Sequence, residues 1–341
     1  MINWGFIGAG SIARTSLAPA VHRAEGSALY AVACHSPDRA SALGPKVVYR
    51  DYAGVVEDPS VHVVYICLHN SAHRHWALRA LAAGKHVLCE KPLGLTAEET
   101  DEMAATAARH GRLLVEAAWN RWHPRTRDME QFLAKGMIGE VREVIAEFHG
   151  AVPAKDNYRW NPSLGGGALF DVGCYAISAA LGAFSWQQPH VSRAALSAHR
   201  PGQADARADI VLAFRDGVAQ VSAAFTNQER QHLEIRGTEG WIRARDDAFT
   251  AGAQPVDLQV NSSGMTASHV YPAVDSYQLM VAEVSSAAAG EPAHLVPLEQ
   301  SLAVAVALDH IRQTASVDVL PLGQRRPAGD ADADSWKGSG A

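Results

Sequence analysis

The first 120 residues alternate short apolar runs with segments of helical periodicity. The apolar runs predict strands at residues 3–9, 28–36, 61–69, 85–91 and 112–120. The periodic segments predict helices at residues 11–25, 37–44, 71–84 and 96–111. The last helix opens with a Thr96…Glu99 capping box and ends at Gly111. Because this alternation requires crossover connections, it predicts an α/β fold with a doubly wound parallel sheet.

After Pro124 the pattern changes to strands without long intervening helices. A helix is predicted near residues 125–139, and strand-like segments follow it at residues 140–152, 191–199, 206–226 and 231–245. Asp216-Gly217 and Glu239-Gly240 are typical hairpin turns, so we expect an open, mainly antiparallel sheet. A late helix at residues 299–315 is expected to pack on this second domain.

These changes divide the chain into three parts. Residues 1–122 are predicted to form a nucleotide-binding domain, and residues 123–322 a second α/β domain for substrate binding and oligomerisation. Residues 323–341 have the composition of a disordered tail.

Composition narrows the class of protein. The chain has 341 residues, of which 48% are hydrophobic, and a net charge of −6 without a basic stretch. A nucleic-acid partner and a membrane span are therefore not expected. The N-terminus lacks the regions of a signal peptide, which indicates a cytoplasmic protein. The cysteines lack metal or disulfide spacing and are interpreted as small core residues: Cys34, Cys67, Cys89 and Cys174.

A glycine-rich loop follows the first predicted strand. Gly8-Ala9-Gly10-Ser11-Ile12-Ala13 reads G-x-G-x-x-A, a pattern typical of the Rossmann dinucleotide-binding fold. Gly8 permits a tight turn, Gly10 allows the backbone to approach a pyrophosphate, and Ala13 allows close helix packing. Gly8, Gly10, Ser11 and Ile12 are therefore predicted to bind a dinucleotide.

The end of the second strand indicates which dinucleotide. An NAD enzyme usually has an acidic residue there that binds the ribose 2′-hydroxyl. This chain has Cys34, His35 and Ser36, with Arg39 close behind. A hydroxyl and nearby cationic groups suit a 2′-phosphate better. NADP is thus favoured as the cofactor, with NAD left open.

Lys91 lies where a buried strand ends, between Glu90 and Pro92. Ligands of doubly wound sheets bind beyond the carboxyl ends of the strands, so Lys91 is predicted to face the cofactor crevice. Pro92 is a candidate cis-proline. The alternative is a surface lysine at a turn.

A second cluster spans residues 165–178, "GGGALFDVGCYAIS". Three glycines precede a helical stretch in which Asp171 and Tyr175 are four residues apart, and hence on one face. A carboxylate and a phenol so placed are interpreted as a reactive site. A buried tyrosine held by a buried aspartate is the structural alternative.

These motifs, together with "AGKHVLCEKPL" at residues 83–93 and "NRWHP" at residues 120–124, resemble the glucose–fructose oxidoreductase / inositol dehydrogenase family, Gfo/Idh/MocA. The resemblance implies a Rossmann domain, an open-sheet second domain and a nicotinamide cofactor. It also implies hydride transfer at a carbinol or carbonyl carbon, and homodimers or homotetramers assembled through the sheet. Lys91 matches the family's catalytic lysine.

The family's Asp-x-x-x-His pair corresponds to Asp171 and Tyr175. Tyrosine departs from the inositol dehydrogenase pattern and resembles the branch of glucose–fructose oxidoreductase, dimeric dihydrodiol dehydrogenases and NADP-dependent aldose dehydrogenases. We therefore expect Tyr175 to act as acid/base with Lys91 as its electrostatic partner. Asp171 is expected to orient the substrate or Lys91.

Further residues are assigned on the same resemblance. Leu68, Asn70 and His73 are expected to touch the cofactor, and Glu116 to face the nicotinamide. Cofactor contacts are also expected from Glu90, Trp119 and Arg121. Substrate contacts are expected from Arg121, Trp122, Arg159 and Trp160. His69, His73 and His75 lack a further ligand at metal spacing, so no metal is expected.

The expected activity is that of an NAD(P)-dependent dehydrogenase acting on a sugar, polyol or diol. A reductase of a sugar-derived carbonyl and a trans-dihydrodiol dehydrogenase remain alternatives within the same chemistry. A cofactor-binding regulator without turnover is the alternative from another class of protein. Glycosidase chemistry with a bound NAD is more remote.

Overall fold

A computed structural model describes residues 1–226, 228–245, 247–252 and 254–319. The first domain contains a parallel sheet with strand order β3-β2-β1-β4-β5-β6. Its strands are β1 Ile2–Ile7, β2 Ser27–Ala33, β3 Val47–Tyr49, β4 Val63–Ile66, β5 His86–Cys89 and β6 Leu114–Glu116. Its helices are α1 Ala18–Arg23, α2 Pro37–Ser41, α3 Tyr52–Glu57, α4 His73–Ala82 and α5 Ala97–His110. The predicted doubly wound sheet is confirmed.

The second sheet has the order β14-β13-β12-β11-β7-β10-β9-β8-β15. Its strands are β7 Val141–Gly150, β8 His190–Ala198, β9 Arg207–Ala213, β10 Val218–Phe225, β11 Arg230–Gly237, β12 Gly240–Arg245, β13 Val256–Ser262, β14 Met265–Tyr271 and β15 Ser316–Val319. The helices of this half are α6 Pro124–Ala134, α7 Cys174–Ala183, α8 Ser276–Ala288 and α9 Leu298–Thr314.

The second sheet is mainly antiparallel, as predicted, with two exceptions. The hairpins β9–β10 and β11–β12 form at the expected Asp-Gly and Glu-Gly turns. However, β7 and β10 pair in parallel at the centre of the sheet, and β15 pairs in parallel with β8 at its edge. Parallel pairing needs a long crossover, and the chain between β7 and β10 supplies one that contains α7.

Alternation along β7 explains how the sheet is covered. Val144, Ala146 and Phe148 are buried, whereas Glu143 and Glu147, in the alternate positions, are half-buried on the opposite face. The buried phase packs with α7 and α9 in one core. The other face carries charged side chains and is left open.

Helix α8 returns the chain to the first domain. Met280, Val281 and Val284 are fully buried in the core cluster that contains Trp4. Trp4 Nε1 also donates to Ser285 Oγ at 3.1 Å. The division of the sequence at residue 122 assigns this segment to the second domain, whereas it packs on the first sheet.

The most apolar helical stretch belongs to the protein core. Within the described residues, Pro162–Ala183 is long and apolar enough to cross a membrane, but 78% of its apolar window is buried inside the protein. Cys34, Cys89 and Cys174 are buried, and all the described cysteines are free. The predicted disordered tail, residues 323–341, lies outside the described residues.

Candidate active site

A cavity of about 470 Å³ opens between the carboxyl ends of β1, β4 and β5 and the second domain. The first domain contributes the glycine loop and the strand ends: Gly10, Ser11, Ile12, Cys67, Leu68, His69, Asn70, Glu90, Lys91 and Trp119. The second half of the chain contributes mostly aromatic and charged side chains: Phe148, Tyr158, Arg159, Asp171, Val172 and Tyr175 from the second domain, and Tyr277 from α8. The cavity is therefore an interdomain site.

The glycine loop has the close backbone approach that its sequence predicts. Gly8 has φ +99°, and a Cβ there would lie 2.4 Å from the Cys67 carbonyl oxygen. A Cβ on Gly10 would lie 3.3 Å from Cys67 Sγ. Ala13 is fully buried, so the following helix packs closely on the sheet. This geometry fits a dinucleotide pyrophosphate.

Lys91 occupies the predicted position at the end of β5 and is followed by a cis Lys91–Pro92 peptide bond. Its Nζ donates to the backbone carbonyl of Asp171 at 2.6 Å and lies 3.3 Å from Asp171 Oδ1. Burial is the largest single effect and disfavours the ammonium, but Asp171, together with smaller effects from Tyr175, Cys174 and Glu90, outweighs it and raises the pKa of Lys91. Lys91 is therefore a cation at neutral pH.

Asp171 lies between two cations. Its Oδ2 is 2.7 Å from Arg159 Nε, and its Oδ1 faces Lys91. Burial alone would raise the pKa of this carboxyl group, but Lys91 and Arg159 lower it below its usual value. Asp171 therefore remains ionised and holds both cations at the cavity.

Tyr175 lies one helical turn after Asp171 and is 8% exposed. Its Oη accepts a hydrogen bond from Trp119 Nε1 at 3.0 Å, and Lys91 Nζ lies 5.1 Å from the centroid of its ring. Burial raises the pKa of Tyr175, and the charge of Lys91 offsets only part of this effect. The phenol is therefore neutral at neutral pH.

The triple glycine positions this helical segment. A Cβ on Gly167, which has φ +122°, would lie 2.1 Å from Asp205 Oδ1, and one on Gly166 would lie 2.4 Å from the Arg159 carbonyl oxygen. Asp205 Oδ2 accepts from the backbone N–H of Leu169 at 2.8 Å. The glycines are thus required for close packing, which sets the direction of the helix that carries Asp171.

A second cavity of about 520 Å³ lies beside the glycine loop. It is lined by Ala9, Gly10, Ser11, Arg14, Asp38, Arg39 and Ala42. Arg39 Nη2 donates to the Ala9 carbonyl at 2.7 Å. Ser36 immediately precedes α2, and the His35 ring lies 5.0 Å from that of Tyr52. Arg14 was not predicted from the sequence, because no motif singles it out; it is exposed in the first helical turns after the glycine loop.

Other predicted cofactor residues support the cavity. Asn70 Nδ2 donates to the Gly165 carbonyl at 2.7 Å and so joins the two domains. Glu90 Oε1 accepts from Tyr65 Oη at 2.6 Å. His73 is fully buried outside the cavity wall, with ring nitrogens 3.0 Å from the Pro92 carbonyl and 3.2 Å from the Leu68 carbonyl. His73 therefore links two site loops.

Two predicted residues of the turn after β6 lie outside the main cavity. Arg121 contacts Glu130 at 2.8 Å and Gln300 at 2.8 Å, and its guanidinium lies over the ring of Trp186. Trp122 is 1% exposed in the core of the first domain. Neither residue lines the 470 Å³ cavity, because the short helical turn Trp119–Trp122 directs only Trp119 into it.

Trp160 and Glu116 also lie outside the main cavity. Trp160 Nε1 donates to the Ala154 carbonyl at 3.1 Å and its ring packs against Phe225. Glu116 accepts from the backbone N–H of Leu93 at 3.0 Å. It lines a separate cavity of about 20 Å³ with Lys91 and Tyr175. Burial raises the pKa of Glu116.

The sequence missed several residues of the wall. Phe148 lies on the buried phase of a correctly predicted strand, and Tyr158 precedes the selected Arg159, so both had a local signal. Tyr277 lies on α8, for which no helix was predicted. Within the described residues, no group of three or more potential ligands is arranged to hold a metal ion.

Comparison with known proteins agrees with this geometry. Residues 2–117 match the model of the oxidoreductase family with an NAD-binding Rossmann fold, and residues 126–243 match the GFO/IDH/MocA C-terminal domain. A D-xylose 1-dehydrogenase (NADP(+)) of Haloferax volcanii is 32% identical over 92% of this chain and 97% of that protein. The chain belongs to the GFO/IDH/MocA oxidoreductase family.

Two further relatives show the range of this family. The trans-1,2-dihydrobenzene-1,2-diol dehydrogenase of Mus musculus is 32% identical over 70% of this chain and 73% of that protein. The crystal structure of KijD10, a 3-ketoreductase from Actinomadura kijaniata in complex with NADP and TDP-benzene, superposes with a TM-score of 0.85. It is 28% identical and covers 94% of this chain and 99% of that one. The protein is thus an NAD(P)-dependent oxidoreductase.

We predict that titration of Asp205 makes the free energy of unfolding of the protein depend on pH. Burial raises the pKa of Asp205 from 3.8 to about 6. A raised folded-state pKa stabilises the protein below the unfolded-state pKa, and this contribution is lost as the pH rises through about 6. The free energy of unfolding should fall by about 1–3 kcal/mol between about pH 4 and 6.5.

Urea unfolding of the wild type and of Asp205→Asn across this range tests the prediction. Asparagine keeps an acceptor for the Leu169 N–H but does not titrate. The free energy of unfolding of Asp205→Asn should therefore fall less steeply with rising pH than that of the wild type. Asp209→Asn is the matched control, because pairing with Arg207 lowers the pKa of Asp209 and moves its titration below this range. An equal slope in the wild type and in Asp205→Asn would contradict the assignment.

Proposed function

We propose that the protein transfers a hydride between NADP and a carbinol carbon of a sugar, polyol or related diol, as an aldose dehydrogenase does. The observation that carries the proposal is the cluster of Lys91, Asp171 and Tyr175 at the end of the cavity that begins at the glycine loop. Similarity to a D-xylose 1-dehydrogenase (NADP(+)) supports the substrate class.

NADP supplies the hydride acceptor or donor when bound. The glycine loop fits its pyrophosphate, and Arg14 and Arg39 flank the second cavity, where a 2′-phosphate would find two cations. Ser36 at the start of α2 adds a hydroxyl nearby. The complex of KijD10 with NADP is consistent with this choice.

Tyr175 is assigned as the acid/base. A substrate oxygen near its Oη would exchange a proton with the phenol, while Lys91 lies close enough to stabilise negative charge on that oxygen. Lys91 is unsuited to be the base, because its contact with Asp171 keeps it protonated. Asp171 positions Lys91 and Arg159 along the same wall.

Burial of Tyr175 determines how each reaction direction depends on pH. A neutral phenol can donate its proton to a carbonyl oxygen at neutral pH, so reduction proceeds there without prior ionisation. Alcohol oxidation needs the phenolate, so its rate should rise as the solution becomes alkaline. This observation favours carbonyl reduction as a second candidate direction, as in the sugar 3-ketoreductase KijD10.

The cavity wall also supports a diol as an alternative substrate. Phe148, Trp119, Tyr158 and Tyr277 surround the reactive cluster with aromatic surface. Such rings bind arene diols by stacking and also bind the apolar faces of sugars. The relationship to trans-dihydrodiol dehydrogenases supports this alternative.

We further propose a cytoplasmic homodimer or homotetramer assembled through the open sheet face. That face carries ordered ion pairs, among them Arg236–Glu143 at 2.6 Å and Arg243–Glu234 at 2.7 Å. Such charges suit an electrostatically matched second copy. Sedimentation at increasing salt concentration measures the oligomeric state. A monomer at every salt concentration would contradict the proposed assembly.

The catalytic assignment predicts large losses in two variants. Tyr175→Phe removes the acid/base, and Lys91→Met removes the neighbouring cation, so each should lower kcat about 100- to 10,000-fold. Turnover would be measured with NADP and a panel of aldoses, inositols and trans-diols, and with NADPH and ketosugars. Lys135→Met, on the surface at the end of α6, is the control and should keep its activity.

NADPH binding, measured by the change in fluorescence when protein and NADPH are mixed, distinguishes an enzyme from a cofactor-binding regulator. Retained binding with lost turnover in both variants would agree with the assignment. Near-normal turnover in both would disprove it. Binding of NADPH by the wild type, without turnover in either direction across the panel, would indicate a cofactor-binding regulator.

Cofactor selection gives an independent prediction. Arg14→Ala should raise KM for NADP about 10- to 100-fold, because a charge-assisted hydrogen bond contributes about 1.5–3 kcal/mol, and it should leave KM for NAD unchanged. Arg39→Ala should also raise KM for NADP more than KM for NAD. It should weaken NAD binding as well, since Arg39 also holds the Ala9 carbonyl. Equal losses for NADP and NAD in Arg14→Ala would contradict a 2′-phosphate site.

A further inference from the structure

The oxygen of Tyr175 has a hydrogen-bond partner that the mechanism above does not use. Trp119 Nε1 lies 3.0 Å from Tyr175 Oη. An indole N–H can only donate, so the phenol oxygen must accept this bond. The phenol proton is then left for another acceptor, and the cavity beside Tyr175 is where a substrate oxygen would approach.

We propose that Trp119 is the fixed donor that stabilises the phenolate form of Tyr175 and thereby helps to set the pH range of the reaction. A hydrogen bond to an ionised oxygen is about twice as strong as one to a neutral oxygen. The Trp119 bond therefore strengthens when Tyr175 loses its proton. This inference rests on the proposed acid/base role of Tyr175.

Lys91 does not supply such a bond in this structure. Its Nζ is directed to the backbone carbonyl and Oδ1 of Asp171. Relative to Tyr175 it lies over the ring, 5.1 Å from the centroid. Lys91 thus acts on the phenol through its charge, and the direct contact to the phenol oxygen comes from the indole of Trp119.

The indole is held in place from the other side by Tyr277. The two rings are stacked, with centroids 4.5 Å apart and planes 20° apart. Trp119 follows β6 in the first domain, whereas Tyr277 lies on α8, which packs on the same domain. A donor fixed in this way needs little reorganisation when charge develops on the phenol.

Burial explains why such a donor is needed. Tyr175 is 8% exposed, and burial raises its pKa. Phe148, whose ring centroid lies 5.5 Å away, adds an apolar neighbour. The titratable groups that face Tyr175 are Lys91, which favours ionisation, and Cys174, Glu90 and Asp171, which oppose it; Tyr277 and Glu116 also lie beside it. Trp119 and Lys91 together counter these effects.

Trp119→Phe tests the proposal, because it keeps an aromatic ring but removes the N–H. The pKa seen on the acidic side of the kcat/KM profile for alcohol oxidation should rise by about 1–2 units. Oxidation below that pKa should fall about 10- to 100-fold and recover at alkaline pH. Replacement of Trp119 by 3-benzothienylalanine, which exchanges N–H for sulfur in the same shape, should reproduce the shift.

Trp76→Phe is the control, since Trp76 lies on α4, outside the cavity wall, and should leave the pH profile unchanged. The proposal is overturned if both Trp119 variants keep the wild-type kinetic pKa and change only KM. In that case Trp119 would be a wall of the substrate pocket.

A readout without substrate separates this proposal from the proposed function. In protein labelled with [¹³Cζ]tyrosine and saturated with NADP, the Tyr175 resonance is assigned by its loss in Tyr175→Phe. It should shift in both Trp119 variants and ionise at higher pH there than in the wild type. An unchanged resonance and titration would overturn the role of Trp119, even if the enzyme is active. If the Tyr175 resonance shifts as expected but the wild type shows no turnover, the result would support the hydrogen bond from Trp119 and refute the acid/base role of Tyr175.

Discussion

The contact between Lys91 and Asp171 is the interaction on which the site depends. Lys91 comes from the end of a strand in the first sheet, and Asp171 from a helical segment of the second domain. A buried carboxylate is costly without partners, and Arg159 supplies the second cation. Pairing these charges therefore fixes where the second domain lies relative to the cofactor loop. The substrate cavity is the space left between them.

Close backbone packing provides the second constraint. Gly8 lies against the Cys67 carbonyl, and Gly167 against the Asp205 carboxylate, so neither position has room for a Cβ. The first contact shapes the nucleotide loop, and the second directs the helix that carries Asp171 and Tyr175. Both glycine motifs thus act by allowing close packing, and the second helps to bring Asp171 within hydrogen-bonding distance of Lys91.

The environment of Tyr175 connects packing with chemistry. Burial against Phe148 favours the neutral phenol, while Lys91 and Trp119 favour the phenolate. Neutral phenol suits carbonyl reduction, and phenolate suits alcohol oxidation. The balance of these contacts therefore decides at which pH each direction of hydride transfer is efficient. Tyr277 takes part in this balance because it holds the indole in its place.

The sequence alone determined the α/β alternation, the glycine loop, Lys91 at a strand end and the spacing of Asp171 and Tyr175 by one helical turn, because each is a pattern among residues close together in the chain. Tertiary structure decided which side chains meet. It buried Trp122, turned Arg121 towards Glu130, and brought Tyr277 to Trp119 from a helix that no local pattern predicted. The central parallel pairing of β7 with β10 was likewise decided there. Local periodicity identifies the buried face of an element, whereas long-range packing selects what covers it.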